Sequence, residues 1–373
     1  MRIETDKLAK AIRLSQRVTS GQLKSEIPEL QMLSLVIRDH SVYVLAQGDS
    51  GESNVRLLAT VGREEDIEFG NYIISGDRLL RVLNESGDDE VEVTFGDHSV
   101  EVVTSLGLTR YESVADNLQT ELNIGTNYEH VFEDIQEQIA YTKDEGDEIA
   151  NSTWASGLSV LRASTSDTDS VSLIFQRDHV SLSAPYAEIR YRTDFPFVLP
   201  MPIAVAKVME DVVKYDVSDT HAYVSGDAFA YVSEEVYVGV YGLGGRVVLG
   251  RSNYDWDITG DDGFAVLTEE LRRVIRVSDI FLTSSGEDIL FEVKYQDGKL
   301  RVFNKGEDGY GADLTLDIQT GSEKADDDLQ VLGEYLQKIL VLTEDDEVEL
   351  ELLGAEGIHI VFSEGDARLT YIG

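Results

Sequence analysis

The order of helix-like and strand-like segments repeats three times along the 373 residues of this chain. Most of the sequence alternates apolar and polar residues with a period of two, as in 91–95, 171–175 and 348–352, which is typical of strands with one buried face. Turn sequences such as Ser86-Gly87-Asp88-Asp89 separate these runs. The pattern therefore predicts sheets built from short strands and tight turns.

Segments with the apolar spacing of amphipathic helices interrupt the strands, two in each repeat. These predicted helices are Thr5–Val18, Ser75–Asn84, Tyr128–Thr142, Met201–Tyr215, Leu267–Val277 and Leu332–Leu342. Each repeat of about 120 residues is long enough for a domain with its own core. We therefore predict an α+β chain of three repeated domains, each with two helices packed on antiparallel sheets. The predicted domains are residues 1–117, 118–252 and 253–373.

The net charge of the chain is strongly negative. It carries 31 Lys and Arg against 71 Asp and Glu, which gives a formal charge of −40. Such a surface repels phosphates, so the net charge alone argues against a nucleic-acid partner. Solubility, or adaptation to high salt, is a sufficient reason for the acidity. The positions of the few basic residues are therefore more informative than their number.

Basic residues are concentrated on five of the six predicted helices. They are Lys7, Lys10, Arg13, Arg17, Arg78, Arg81, Lys207, Lys214, Arg272, Arg273, Arg276 and Lys338. In the first helix the four basic residues share one side, opposite Leu8 and Ile12, and only Leu14 does not fit this pattern. In so acidic a chain, an ordinary solvated helix face would carry mostly Asp and Glu. We therefore predict that these basic residues bind DNA phosphates. The helix at 128–142 is the exception, because it has no Lys or Arg.

The surroundings of the basic residues indicate how they would bind. No aromatic residues alternate with them, as stacking on bases would require. No Asn or Gln pairs adjoin them for reading base edges. The predicted contact is with the backbone of double-stranded DNA, so it is independent of base sequence and sensitive to salt.

Motifs for catalysis, cofactors and metals are missing from the sequence. The chain has no Cys, which excludes disulfides and thiolate chemistry. Segment 242–246 lacks the third glycine of a dinucleotide-binding loop, and we interpret it as a hairpin or a strand bend. Segment 257–269 has the length of an EF-hand loop but lacks its central glycine. We predict no enzyme activity, no cofactor and no metal. No apolar run is long enough for a membrane span and no signal peptide is visible, so we predict a cytoplasmic protein.

Three such repeats with basic helices resemble the bacterial sliding clamp, the β subunit of DNA polymerase III. Glu26–Leu30 is similar to the Pro-x-Leu that opens the first strand in that family, and Gly250–Trp256 is similar to its Gly-Arg-Phe-Pro-Asp-Tyr element. Ile139–Asn151 resembles the exit of a helix followed by Leu-Asn-Gly. Ser164–Val171 stands where the family has Ala-Thr-Asp-Gly-His-Arg-Leu, and Glu334–Leu336 contains the Tyr-Leu of its last helix. The order and spacing of these motifs extend the resemblance over the whole chain.

The resemblance implies a DNA clamp fold and a ring-forming, head-to-tail homodimer of six domains with helices lining the hole. Such a ring encircles duplex DNA and tethers the polymerase to its template, as a processivity factor in DNA replication. In the family, peptide motifs of the polymerase and the clamp loader bind in a pocket between the second and third domains. Carried over by position, the lining of this pocket is Ser166, Thr168, Val171, Asn253, Ile258, Thr370, Tyr371 and Ile372.

Two departures from the family pattern concern this pocket. The His-Arg of the pocket strand is missing from Ser164–Val171, and the sequence ends in Tyr371-Ile372-Gly373 rather than Met-Pro-Met-Arg. A peptide specificity of its own is therefore expected. Such divergence would suit a clamp encoded by a phage, acting in the bacterial cytoplasm or in an infected host cell.

The alternative is an acidic structural protein of several β domains, such as a virion component, with no role on DNA. The basic helices argue against it, because surface β modules do not need them. A discrete dimer would favour the clamp, whereas a monomer or a large polymer would favour the structural protein. A hydrolase that uses paired carboxylates is a third hypothesis, supported only by composition.

Overall fold

The structure of the protein is a computed structural model. It describes residues 1–19, 33–49, 53–64, 67–113, 128–163, 172–183, 187–243, 264–280, 290–296, 299–303, 313–321, 328–332, 336, 339–352, 357–362 and 365–371. The helices within these residues are α1 Thr5–Thr19, α2 Gly76–Ser86, α3 Tyr128–Glu145, α4 Asn151–Ser159, α5 Ile203–Tyr215 and α6 Thr268–Ile280. Short 3-10 turns follow at Val160–Ala163 and Leu340–Leu342.

Antiparallel strands make up most of the remaining described chain. The first half contains β1 Arg2–Glu4, β2 Leu33–Arg38, β3 Ser41–Asp49, β4 Asn54–Arg63, β5 Gly70–Ile74, β6 Glu90–Phe95, β7 Ser99–Thr104, β8 Gly107–Glu112, β9 Asp147–Ile149, β10 Ser172–Phe175, β11 His179–Ser183 and β12 Ala187–Arg192. The second half contains β13 Leu199–Pro202, β14 Thr220–Ser225, β15 Ala228–Val232, β16 Val236–Tyr241, β17 Phe264–Leu267, β18 Leu290–Gln296, β19 Lys299–Phe303, β20 Asp313–Asp317, β21 Thr320–Gly321, β22 Asp328–Leu332, β23 Glu347–Leu352, β24 Gly357–Phe362 and β25 Gly365–Tyr371. The predicted α+β composition is confirmed.

The chain divides into two compact units. The first unit comprises 1–155 and 204–246, and the second comprises 156–203 and 247–373. In the first unit, one sheet has the order β5-β2-β3-β4-β16-β15-β14-β9 and another the order β1-β6-β7-β8. In the second unit the orders are β13-β10-β11-β12-β25-β24-β23-β17-β21 and β20-β19-β18-β22.

Each long sheet joins strands that lie far apart in sequence. In the first unit β4 pairs with β16, from Ala59 with Val236 to Asn54 with Tyr241. In the second unit β12 pairs with β25 in the same antiparallel manner. Strand pairing therefore connects one repeat to the next, in addition to the chain itself.

The eight-stranded sheet of the first unit carries helices on both of its faces. Because side chains alternate along a strand, Leu35 and Val36 of β2 point to opposite faces. Helix α1 packs on the Leu35 side, where Leu8 and Leu35 line one small apolar space with Val42. We call this side the α1 face. Helix α3 packs on the side of Val36, which we call the α3 face.

Helix α4 also lies on the α1 face. Its Trp154 is fully buried and packs against Phe229 and Tyr231 of β15. These two residues alternate along β15 with Ala230, which lies in the α3 cluster on the opposite side. The α1 face is therefore covered by α1 near β2 and β3 and by α4 near β15.

The helix predictions are confirmed in part. Helices α1, α2, α3, α5 and α6 were predicted to within a few residues of their ends, whereas α4 was not predicted. Leu14, which did not fit the pattern of α1, is buried like its apolar neighbours. Of the predicted helix 332–342, the described residues Leu336 and Ile339 are helical and 340–342 form a 3-10 turn. The segment at 242–246 is described only at its start, where Gly242 has a φ of 79°, as a bend would require.

The assignment of α3 as the first helix of the second repeat is wrong. The first and third repeats each begin with a short strand that leads directly into a helix, β1 into α1 and β17 into α6. The same arrangement in the second repeat is β9 followed by α4. Helix α3 therefore belongs to the connection between the first two repeats, and the resemblance proposed for Ile139–Asn151 does not hold. Both predicted domain boundaries, at 117/118 and 252/253, lie outside the described residues.

Candidate nucleic-acid interface

The predicted DNA-binding residues of the first unit lie on α1, α2 and α5, and α1 contacts both of the other helices. Arg13 Nη2 of α1 donates a hydrogen bond to Asn84 Oδ1 of α2 at 3.0 Å. On the other side of α1, the Arg17 guanidinium lies 2.5 Å from an oxygen of Asp211 on α5. Asn151 at the start of α4 donates to the carbonyl of Val213 in α5. These contacts place the three basic helices together on the α1 face.

The cations of α1 have different surroundings. Lys7 is only 24% exposed and forms an ion pair with Glu235, in the turn between β15 and β16. Lys10 pairs with Asp6 one turn earlier, at 2.8 Å, and this pair is exposed. An exposed pair contributes at most about 1 kcal/mol, so an approaching phosphate can displace its carboxylate. Lys7 and Arg17 are bonded to residues of the second repeat and therefore also hold the two repeats together.

The cations of α2 and α5 form fewer ion pairs with described residues than those of α1. Arg78 and Arg81 on α2 are exposed and form no ion pair with another described residue. The same holds for the partly buried Lys207 on α5. Lys214 pairs with Glu210 at 2.7 Å, within the same helix. Arg78 and Arg81 are thus the most available cations of α2 and α5.

In the second unit, α6 carries three arginines with different partners. Arg272 donates through Nη2 to the carbonyls of Leu340 and Thr343, at 2.7 and 2.6 Å, and so holds the 3-10 turn against α6. Its other nitrogen bonds Glu269 at 2.6 Å, and this hydrogen bond lowers the pKa of the Glu269 carboxyl. Arg276 also lies near Glu269, at 3.6 Å. Arg273 is exposed and has no ion pair with a described residue.

The predicted DNA-binding residues therefore fall into two groups. Those paired with a carboxylate are Lys7, Lys10, Arg17, Lys214, Arg272 and Arg276. Those without such a partner among the described residues are Arg13, Arg78, Arg81, Lys207 and Arg273. Lys338 lies outside the described residues. DNA binding by any of them stays a prediction, but only the second group can contact a phosphate without first breaking an ion pair with a described carboxylate.

Helix α3 explains the one acidic exception among the predicted helices. Its exposed residues include Glu133, Glu137, Asp144 and Glu145, and they lie on the side of the sheet away from α1. Negative charge on that face is separated from the basic helices by the sheet. The absence of basic residues from most of α3 is therefore consistent with a phosphate-binding role for the α1 face.

Most of the predicted peptide pocket lies outside the described residues. This applies to Ser166, Thr168, Val171, Asn253, Ile258 and Ile372. The backbones of Thr370 and Tyr371 form the end of β25, paired with Glu188 and Ala187 of β12. The pocket stays a prediction.

Sequence reasoning missed the carboxylates that organise the α1 face. Asp216, just after α5, accepts hydrogen bonds from the backbone N–H groups of Ser218 and Glu235, at 2.9 and 2.8 Å. Burial alone would raise the pKa of Asp216, but these bonds and those from the Ser233 and Ser218 hydroxyls outweigh it, and the pKa falls below its ordinary value. Asp216 thereby fixes the turn that presents Glu235 to Lys7. An isolated Asp in an acidic sequence gives no signal of such a role.

We expect Asp216→Asn to destabilise the fold at neutral pH by about 1.5–3 kcal/mol, the contribution of hydrogen bonds to a charged group. Because the folded-state pKa is lowered, the stabilisation is complete above the unfolded-state pKa and is lost as the pH falls through the folded-state pKa. The difference between variant and wild type should therefore shrink under acid conditions. Urea unfolding at several pH values measures it, with the exposed Asp219→Asn as the control. A difference that does not change with pH would contradict this assignment.

The described part of the chain offers neither of two other kinds of site. No helix there is long and apolar enough to cross a membrane. Within the same residues, no three His, Asp or Glu side chains are grouped as metal ligands.

The fold defines the class of protein. Helices lie on long antiparallel sheets that run from one repeat into the next, which is the architecture of a sliding clamp. No family model and no curated protein sequence matches the chain. Solved structures, however, match all of it.

The similar structures are bacterial clamps. A DNA polymerase III beta subunit from Thermotoga maritima is 13% identical, with 100% of this chain and 98% of that chain covered and a TM-score of 0.70. A DNA polymerase sliding clamp from Pseudomonas aeruginosa is 11% identical, with 100% and 99% covered and a TM-score of 0.72. The beta subunit from DNA polymerase of Streptococcus pyogenes is 13% identical, with 100% and 99% covered and a TM-score of 0.70. The predicted fold is confirmed: the chain has the fold of the DNA polymerase III beta sliding clamps.

Proposed function

We propose that this protein is a DNA sliding clamp, a non-enzymatic processivity factor that encircles duplex DNA and tethers a polymerase to its template. The observation that carries the proposal is the end-to-end structural match to sliding clamps. The grouping of basic residues on α1, α2 and α5, in a chain with a net charge of −40, supports it independently. The alternative structural protein has no use for these helices.

The proposed contact with DNA is electrostatic and independent of sequence. Arg and Lys side chains on helices bind backbone phosphates without reading bases. Carboxylates beside many of these cations compete with the phosphates, so each contact is weak. Weak contacts favour sliding, because none of them holds the protein at one position on the duplex.

Retention on DNA of different topology tests the proposal. A closed ring stays on circular DNA and escapes from the ends of linear DNA. We expect the protein to elute with nicked circular plasmid on gel filtration, and to be released when a restriction enzyme cuts that plasmid once. Equal retention on circular and linear plasmid would contradict a topological link and leave only ordinary surface binding.

The edge of the smaller sheet in the first unit supports the proposal of a head-to-tail homodimer. Strand β8 is the last described strand in the order β1-β6-β7-β8, so no described strand of this sheet pairs with its outer side. Leu106, just before this strand, is 66% exposed, Leu108 within it is 62% exposed, and Val103 of β7 is 40% exposed. Exposed apolar residues at a free strand edge are typical of a surface that pairs with another chain. We propose that a second copy covers this edge.

We expect Leu106→Glu combined with Leu108→Glu to convert the dimer into a monomer, because two buried carboxylates would oppose the apolar contact. Sedimentation equilibrium measures the change. Val217→Glu is the matched control, since Val217 is 80% exposed in the same unit but follows α5. A double variant that remains dimeric would place the interface elsewhere, while a monomeric wild-type protein would count against the clamp.

Polymerase and clamp-loader peptides are the further proposed partners, together with a cytoplasmic location. Both proposals rest on the similarity of the fold to DNA polymerase III beta subunits. The departure from the family pattern within 164–171 predicts that this protein prefers peptides of its own replication partners.

A further inference from the structure

Helix α3 occupies a position that the repeat pattern does not require. It lies in the connection between β8 of the first repeat and β9 of the second. Its apolar side packs on the α3 face of the eight-stranded sheet, while α1 and α4 cover the opposite face. Among the described residues, the buried cluster on the α3 face contains side chains of no other helix.

The apolar contacts of α3 reach both repeats. Val131, Phe132 and Ile135 are buried in one cluster. On the first-repeat side the cluster contains Val36, Leu45 and Leu58, and on the second-repeat side it contains Ala230, Val232 and Tyr237. The cluster therefore extends across the β4–β16 pairing that joins the two repeats.

Polar and aromatic contacts repeat this arrangement along the helix. Near its start, Phe132 packs against Tyr43 of β3 with the rings tilted and their centroids 5.3 Å apart. Asp134 lies 3.6 Å from the Arg56 guanidinium of β4. Near its end, Tyr141 meets Tyr223 of β14 edge to face, with the hydroxyl oxygens 3.1 Å apart. The start of the helix thus contacts the first repeat and its end contacts the second.

The opposite face of the same junction is also bridged. Lys7 of α1 pairs with Glu235, and Arg17 pairs with Asp211 of α5. The Tyr215 hydroxyl donates to the Thr60 carbonyl at 2.9 Å. Contacts on both faces therefore reinforce a junction whose backbone link is one pair of strands.

We propose that α3 is a strap that locks the first and second repeats into one rigid body. The angle between neighbouring strands varies widely among sheets, so a single pair of strands does not by itself fix the two parts of a sheet that it joins. A helix resists bending because each of its turns is hydrogen-bonded to the next. When such a helix lies across β4 and β16 and is anchored on both sides, bending at this pairing requires its buried contacts to break.

The strap has one consequence for the proposed function. If the protein is a ring that opens to admit DNA, the opening movement leaves the junction of the first and second repeats unchanged. This consequence rests on the clamp proposal. The strap itself does not, because its test needs neither DNA nor a ring.

Distances between two spin labels test the strap directly. The chain has no cysteine, so two introduced residues are labelled specifically. Asp97→Cys lies in the β6–β7 turn of the first repeat and Ser225→Cys at the end of β14 in the second, and both positions are exposed. We expect a narrow distance distribution in the otherwise unchanged protein. Adding Phe132→Ala with Ile135→Ala, which removes the buried contacts of α3, should broaden it.

The control is Glu133→Ala with Glu137→Ala, which changes two exposed residues of the same helix and should leave the distribution narrow. Circular dichroism shows whether each variant is folded. If the buried pair prevents folding, Asp134→Ala with Tyr141→Ala removes partly exposed contacts at β4 and β14 and should broaden the distribution less. A folded strap variant with the wild-type distribution would overturn the proposal, as would a broad distribution in the protein with α3 unchanged.

Discussion

Replacing Trp154 by alanine is expected to lower the free energy of unfolding by about 3–5 kcal/mol, the usual cost of emptying a large aromatic site. Trp154 is fully buried between Phe229 and Tyr231, with ring centroids 5.8 and 5.7 Å away. Its indole N–H donates to Thr220 Oγ1 at 3.1 Å, and the Thr220 hydroxyl donates to the Ile149 carbonyl at 2.9 Å. The substitution therefore removes both packing and one end of a buried hydrogen-bond chain.

Trp154→Phe separates these two contributions. Phenylalanine retains much of the ring volume but cannot donate to Thr220, so we expect a smaller loss, of about 1–3 kcal/mol. Thr153→Ala, at a partly exposed position of the same helix, serves as the control. Urea unfolding followed by circular dichroism measures all three. If Trp154→Ala lowered the free energy of unfolding no more than Thr153→Ala, the packing of Trp154 would not be what holds α4 on the eight-stranded sheet.

Helix α4 also shows a limit of sequence reasoning. Its nine residues, Asn151–Ser159, contain no charged side chain. An amphipathic helix is predicted where apolar residues fall on one side and charged residues on the other. This segment has no charged residues to mark the second side. It is stabilised by tertiary burial of Trp154 rather than by its own pattern. By comparison, α1 and α2 have strong contrast and were predicted to within two residues of their ends.

Helix α3 shows a different limit. The spacing of Val131, Ile135 and Ile139 predicted the helix correctly, because it indicates that one side is buried. The same spacing cannot tell which face of a sheet buries it. Strands β2 and β3 carry apolar residues on both faces. The face with Val36 and Leu45 could therefore bury a helix as well as the opposite face could. The absence of basic residues was the signal that α3 differs from the other helices.

The basic positions were predictable and their partners were not. Lys7 and Glu235 are 228 residues apart in sequence, and nothing in either neighbourhood links them. The periodicity of α1 gives the side on which Arg17 lies, but the position of Asp211 depends on the packing of α5 against α1. The sequence therefore predicts a basic face, while the folded chain determines which of its cations are already paired.

Removing unpaired cations is expected to weaken DNA binding much more than removing paired ones. Arg78→Ala with Arg81→Ala deletes two exposed cations that have no ion pair with a described residue. Lys10→Ala with Lys214→Ala deletes the same charge from the neighbouring helices, but Asp6 and Glu210 already neutralise it. Each lost phosphate contact reduces the slope of log affinity against log salt by about 0.9, so the arginine pair should lower that slope by about 2.

Fluorescence anisotropy with a short duplex, titrated at several salt concentrations, compares the two pairs. At low salt we expect the arginine pair to lose about ten-fold or more in affinity, and the lysine pair to lose clearly less, because a phosphate gains little from a cation that another anion holds. Circular dichroism should show both variants folded, since all four residues are on the surface. Equal losses would mean that the ion pairs open on binding and that the whole basic face contacts DNA. If the slope of log affinity against log salt concentration were unchanged in both variants, these helices would make no phosphate contacts. The electrostatic support for a clamp would then be lost.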